Sequence, residues 1–361
     1  MKCFIRVDSS TIMGSGHFMR CLVLAKFIRK AVSADIFFIC RDLDGNVAFL
    51  ARESGFSVLL LPPAEHKNDL SGYESWLTVT LEQDANDTID AIFSSLEGDK
   101  ADYIIVDNYA IDETWERRLR PFVKKIFVID DLANRKHDCD FLLDQTYGIE
   151  NTNKYIDLVP SKCVRFFGTS YSLLKSDYRK LRKEIDLIRY KVQNVMVFFG
   201  GSDDTGETVK VLKAIKYGKF NQYHFIVIVG ESNPKKDFVK ACCENLDNVE
   251  FHCQVENMEH YISISDIALA SAGVNTWERC ILGLPSIITM TADNQHEIVH
   301  QMREKSAAII LGSYESINCE DYIRVLNDID NIDIVSLSKN AASLMEKDGI
   351  DYLLKVIGEA V

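Results

Sequence analysis

Short, uninterrupted apolar runs that alternate with helical patterns constrain this chain most. The runs Cys3–Val7, Ile36–Cys40, Tyr103–Val106 and Ile126–Ile129 are rich in β-branched and aromatic residues. A second series follows at Val195–Phe199, Phe225–Val229, Val249–His252, Ile267–Leu269 and Ser286–Thr289. A strand with one wet face alternates polar and apolar residues. Continuous apolar strands need cover on both faces, which parallel sheets receive from their crossover helices. Segments with helical patterning lie between the runs, at His17–Ala31, Glu113–Phe122, Thr208–Ile215 and Asn275–Leu282. The expected class is therefore α/β with parallel sheets. The stretch 68–86 reads as a surface loop or short helical excursion that carries Trp76 and several acids, and Ser336–Ala360 as amphipathic helix.

The two series imply two domains, and 361 residues suffice for both. A charged stretch, 175–194, separates them, so the expected division is 1–175 and 176–361. Each half opens alike, with a strand, a small-residue loop and a helix. In the first the loop is Gly14-Ser15-Gly16; in the second it is Gly200-Gly201-Ser202. Two facing domains of this kind would bring their strand C-terminal ends, and hence a ligand, to the cleft between them. With 41 basic and 54 acidic side chains the net charge is −13, which disfavours a general nucleic-acid or anionic-membrane binder. No apolar run approaches membrane-spanning length, and Arg6 and Asp8 interrupt any signal-peptide core, so the expected location is cytoplasmic. The ten cysteines are scattered and none forms a Cys-x-x-Cys pair, which fits reduced, mostly buried thiols. Nothing in the sequence requires more than a monomer.

Chemistry concentrates where apolar runs end. After the first run comes Asp8, then Gly14, Gly16, His17 and Arg20. The glycines admit a ligand to the backbone, and the helix that starts near His17 favours an anion. The same helix end disfavours imidazolium, as suits a general base. The residues equally suit a plain turn and a helix start. Asp107, Asn108 and Tyr109 end another strand, and Asp130 and Asp131 the next; strand-end carboxylates are both site candidates and ordinary turn formers. In the second half, Ser271, Ala272, Gly273 and Asn275 lead into a helix whose backbone N–H groups suit a diphosphate. Glu278, in its first turn, suits a ribose diol or simply the helix dipole. Asn294 and Gln295 follow the Ser286–Thr289 run, and Gly201 and Ser202 form a further small-residue loop. Neither Gly-x-Gly-x-x-Gly nor a Gly-Lys-Ser/Thr loop occurs, and no His or Asp-x-Asp grouping has metal-ligand spacing. No cofactor and no metal are expected.

Taken in order, several segments resemble one family. These are Arg6-Val7-Asp8-Ser9-Ser10, Gly14-Ser15-Gly16-His17-Phe18-Met19-Arg20-Cys21, Asp107-Asn108-Tyr109 and Asp130-Asp131-Leu132-Ala133-Asn134-Arg135. Further on are Gly200-Gly201-Ser202-Asp203, Trp277-Glu278-Arg279-Cys280, Gly283-Leu284-Pro285 and Ala292-Asp293-Asn294-Gln295. The chain is similar to the UDP-2,4-diacetamido-2,4,6-trideoxy-β-L-altropyranose hydrolases of pseudaminic acid biosynthesis. The resemblance implies two Rossmann-like domains of glycosyltransferase-B type and a UDP-sugar substrate. It implies water as acceptor, His17 as the base and Asn294 as a substrate contact. The run Thr11-Ile12-Met13 departs from the Gln-Ile-Gly type expected there, with the register to His17 kept. A glycosyltransferase with a UDP-sugar donor and a non-catalytic sugar-nucleotide binder remain alternative readings.

Overall fold

The computed structural model describes residues 1–63, 72–96, 100–146, 148 and 153–360. Of the expected loop at 68–86, residues 68–71 lie outside the described residues. The chain forms two compact units, Met1–Leu173 with Asp348–Val361, and Leu174–Lys347.

The first unit runs β1 (Lys2–Val7), α1 (Gly16–Ala31), β2 (Asp35–Arg41), α2 (Phe49–Glu53), β3 (Ser57–Leu61), α3 (Leu81–Ser95), β4 (Ala101–Asp107), α4 (Glu113–Leu119), β5 (Val123–Ile129), β6 (Phe141–Asp144) and β7 (Val164–Phe167). Its described strands form a parallel sheet in the order β3-β2-β1-β4-β5-β6-β7. Cys3, Ile5 and Val7 point to the face covered by α1, and Phe4 to the face covered by α3 and α4. Burial on both faces is the physical reason the strands read as continuous apolar runs.

The second unit runs α5 (Ser176–Leu181), β8 (Asn194–Phe198), α6 (Glu207–Gly218), β9 (His224–Val229), α7 (Lys236–Cys243), β10 (Val249–Cys253), α8 (Met258–Ile264), β11 (Ile267–Ala270), α9 (Asn275–Ile281), β12 (Ser286–Met290), α10 (His296–Glu304), β13 (Ala308–Ser313), α11 (Cys319–Asn327) and α12 (Ile334–Ser343). Its strands lie in the order β10-β9-β8-β11-β12-β13, again all parallel.

Two expectations are corrected at the C-terminus. The stretch expected as amphipathic helix is two helices, α12 and then α13 (Ile350–Glu359). And α13 belongs to the first unit rather than to 176–361. Its stripe of Ile350, Leu353 and Ile357 completes the core beneath α1, and Tyr103 donates its hydroxyl to the Ile357 carbonyl at 2.9 Å. The apolar i, i+3, i+7 spacing needed a surface, and the α1 face supplies it.

In each sheet the chain reverses its direction of growth once. In the first unit this happens between β1 and β4, in the second between β8 and β11. Such a reversal, at the C-terminal ends of those strands, is the usual ligand position of an open α/β sheet.

Candidate active site

The switch point of the first unit gathers His17, Arg20, Asp107, Tyr109 and Asp131. His17 and Arg20 lie three residues apart on α1, so both reach the same side of the helix. Register pairs Val7 of β1 with Asp107 at the end of β4, which sets that carboxylate beneath them. His17 Nδ1 lies 2.6 Å from Asp107 Oδ1. Arg20 donates to the same carboxylate through Nε, at 2.6 Å to Oδ2, and Nη2, at 2.7 Å to Oδ1. A further bond from its Nη1 reaches Asp131 Oδ2 at 2.5 Å. Tyr109 donates its hydroxyl to the same Asp131 oxygen at 3.0 Å. Burial alone would raise the Asp107 carboxyl, but Arg20 and then His17 hold it below the usual carboxylate range. Asp107 is thus an acceptor, so Nδ1 of His17 carries the proton of their hydrogen bond. Besides the helix end, a buried carboxylate thus stands beside His17 and orients the ring.

Gly14 takes φ +72°, a conformation that side chains rarely adopt, and its N–H closes the loop onto the Ser10 carbonyl. Ser10 Oγ accepts from the N–H groups of Ile12 and Met13. Gly16 begins α1, and the Ser15 side chain before it makes no cap, while its carbonyl accepts the Met19 N–H. Asp8 stands apart from this grouping. Its carboxylate is buried and saturated by Arg6 Nη1, the Arg41 N–H and Asn108 Nδ2. Arg6 and Arg41 also share buried Asp84, which receives the Trp115 indole as well. Asp8 therefore acts as a scaffold group that ties β1 to its neighbours; a strand-end acid in sequence does not reveal which way its oxygens are spent.

The site also holds residues that the sequence reading left in a surface loop. Trp76 stacks on Tyr109 at 5.3 Å, and both rings stand edge-on to His17, at 5.4 and 4.5 Å. Tyr73 is edge-on to both Trp76 and Tyr109, at 5.1 Å each. The aromatic content of 73–76 was the available signal, and only the fold brings it to His17.

The second unit's switch point is built from small residues. Ser271, Ala272 and Gly273 follow β11 and lead into α9, whose start at Asn275 has no side-chain cap from Val274. Buried Gln295 binds this loop to the one after β12. Its Oε1 accepts from the N–H groups of Ala272 (3.3 Å) and Thr291 (2.9 Å), and its Nε2 donates to Thr291 Oγ1. Arg279 braces the loop from behind, donating to the Ser271 carbonyl, Asn275 Oδ1 and Ser286 Oγ. Burial pushes this guanidinium down to about 10. Neither brace was assigned its role from sequence. Asn294, next to Gln295, is exposed at the end of β12. Glu278 accepts a hydrogen bond from buried Tyr178, and burial raises its carboxyl. After β8, Gly201 packs against Gly230 so closely that a Cβ on Gly230 would meet it at 2.7 Å. Ser202 bonds the side chain of Asp204, while Asp203 caps α6 through the Glu207 and Thr208 N–H groups. Among the described residues no group of three or more His, Cys, Asp or Glu is placed to hold a metal ion. No described helix is long and apolar enough to cross a membrane.

Residues 195–347 match the glycosyltransferase family 28 C-terminal domain. An uncharacterized protein of Methanocaldococcus jannaschii is 27% identical over 306 residues, which cover 82% of this chain but 57% of that protein. The chain thus spans little more than half of that relative. The UDP-2,4-diacetamido-2,4,6-trideoxy-beta-L-altropyranose hydrolase of Campylobacter jejuni is 24% identical over 274 residues, 75% of this chain and 85% of that enzyme. The resemblance drawn from the motifs is therefore found again across most of the chain. MurG of Acinetobacter baumannii superposes with a TM-score of 0.64 at 11% identity, over 99% of this chain and 100% of that one. The fold is the expected one, two parallel-sheet α/β domains of glycosyltransferase-B type.

Proposed function

We propose that the protein hydrolyses a UDP-linked 2,4-diacetamido-2,4,6-trideoxy sugar at the anomeric C–O bond, releasing UDP and the free sugar. The observation that carries this reading is the His17–Asp107 pair at 2.6 Å on the switch point of the first unit. In the reading, Asp107 holds the Nδ1 proton and Nε2 accepts a proton from water as the water oxygen bonds to the anomeric carbon. The C–O bond to the diphosphate breaks with its electron pair leaving on UDP, and the configuration inverts. UDP is a good leaving group, so no strong acid is needed. Main-chain N–H groups at the start of α9 suit the charge that develops on the diphosphate. Ser271, Ala272, Gly273, Asn275, Asn294 and Gln295 are assigned to the nucleotide end, with Glu278 on the ribose and Gly201 and Ser202 beside them. Gly14, Gly16, Arg20, Tyr109 and Asp131 are assigned to the sugar and base end, with Asp8 as their support. The Campylobacter relative supports the choice of substrate and of water as acceptor. The substrate is soluble, so no membrane or nucleic-acid partner enters, and a cytoplasmic location fits.

The test is turnover of this UDP-sugar in H₂¹⁸O with no acceptor. Stoichiometric UDP and free sugar with the label in the sugar are expected. Label in UDP would mean cleavage at phosphorus and would defeat the mechanism. Turnover only after a sugar or lipid acceptor is added would identify a glycosyltransferase, the reading that the family 28 domain favours.

A further inference from the structure

Trp76 and Trp115 show two ways to hold an indole. Trp115 is fully buried and donates Nε1–H to Asp84 Oδ1 at 3.0 Å, a structural role. Trp76 is half-buried beside His17, and no hydrogen bond among the described residues engages its Nε1. It is nevertheless fixed. Buried Leu77 anchors the segment in the core, Tyr109 stacks on one ring face, and Tyr73 stands against both. The other polar groups of this wall are committed, Tyr109 to Asp131 and His17 Nδ1 to Asp107. Trp76 Nε1 is thus an N–H donor set in apolar ring surface, beside His17 and the ring of Tyr73.

We infer that Trp76, with Tyr73 and Tyr109, is an acyl-recognition wall that receives an acetamido group of the sugar. The group's chemistry matches the wall: its carbonyl oxygen accepts from Trp76 Nε1, and its methyl lies on the tyrosine rings. An ammonium in its place has no lone pair for Trp76 Nε1, and a hydroxyl, held directly on the ring carbon, falls short of the amide carbonyl's reach and leaves the tyrosine rings without a methyl. Sites built around a hydrogen bond reject analogues that cannot make it. The inference rests on the UDP-sugar reading above and adds a residue that discriminates N-acylated sugars from plain hexoses.

The chain has three tryptophans, so three indole N–H resonances report on it. Protein with ¹⁵N-labelled indoles is titrated with UDP, with UDP-glucose and with the UDP-2,4-diacetamido-2,4,6-trideoxy sugar, and Trp76 is assigned from Trp76→Phe. The Trp76 resonance is expected to move with the acylated sugar nucleotide and to stay with UDP alone. Trp76→Phe keeps the ring and loses the donor. It should lower the preference for the acylated sugar nucleotide over UDP-glucose by about 10-fold, the worth of one hydrogen bond, with UDP affinity unchanged as the check on folding. If the acylated sugar nucleotide binds and Trp76 stays silent, or if the preference survives Trp76→Phe, the wall is overturned and the hydrolase reading stands. If no sugar nucleotide binds the wild-type protein, both fall.

Discussion

The two units share a topology and differ in what they place at the point where strand order reverses. In the first, that point is filled with ionised side chains: one carboxylate, Asp107, takes His17 and Arg20 together. In the second, the loop after β11 is Ser-Ala-Gly, and its braces are a neutral amide and a guanidinium turned inward. The same topological position thus carries different groups in the two units. Fixed side-chain charge suits moving a proton, while small residues and main-chain N–H groups suit holding an anion without a competing charge. Substitutions on the two sides should therefore separate turnover from nucleotide affinity. The largest effect is expected on the first side. His17→Asn removes the base and should lower kcat by about 10²–10⁴. Asp107→Asn leaves the ring but loosens its tautomer, and should cost a comparable factor. Both should keep UDP affinity within a factor of two or so (~0.4 kcal/mol). Calorimetry with UDP alongside steady-state rates checks the pair, and near-normal kcat in His17→Asn would remove the base assignment.

The complementary break is on the second side. If Glu278 holds the ribose, Glu278→Ala should weaken UDP binding by about 1–3 kcal/mol, the worth of a hydrogen bond to a charged acceptor. The same change leaves the buried Tyr178 hydroxyl without its acceptor, so Glu278→Gln, which keeps a carbonyl for Tyr178, separates packing from binding. Unchanged UDP affinity in both would take Glu278 out of the nucleotide site.

The difference between the sides also explains what could be read from sequence. Buried parallel strands announce themselves as apolar runs, so the fold class and most of the central strands were visible. Strands β3, β6, β7 and β13 and helix α3 were not: β7 is broken by Arg165, β6 is only four residues long, and the apolar run Val58–Leu61 of β3 was passed over. His17, Arg20 and Asp107 were visible as candidates because strand ends and glycine loops are local features. Their pairing was not, since it spans about ninety residues and depends on which strand lies beside β1. Asp8 shows the converse. It occupies a strand end as Asp107 does, yet Arg6, Arg41 and Asn108 consume its oxygens, and only the placement of α3 and β2 decides that. Trp76 was missed for the same reason, and so was the return of α13 to the first unit.

The smallest expected effect concerns the charged side alone. Behind Asp131, the Tyr155 hydroxyl lies 2.8 Å from Asp130 Oδ2 and 3.0 Å from Asp144 Oδ2. One hydroxyl proton serves only one of the two carboxyls at a time. Arg135, and after it His137, keep Asp130 low despite its burial. Asp144 has no such cation; burial, and then the charge of Asp131, push it up to about 8. It is therefore protonated in the folded protein at neutral pH and ionised in the unfolded chain above about pH 4. The folded state then binds the extra proton, so this contribution to stability is fully present below pH 4 and is lost as pH rises toward 8. Asp144→Asn mimics the protonated carboxyl and should flatten that decline. Hydrogen exchange of the β6 amides between pH 5 and 8, corrected for intrinsic rates, measures it. Protection in β6 should fall with pH in the wild-type protein and stay flatter in Asp144→Asn, while β11 in the other unit should be indifferent to the substitution. An equal slope in β6 for both proteins would mean that Asp144 is ionised in the folded state, with the Tyr155 proton shared in some other way.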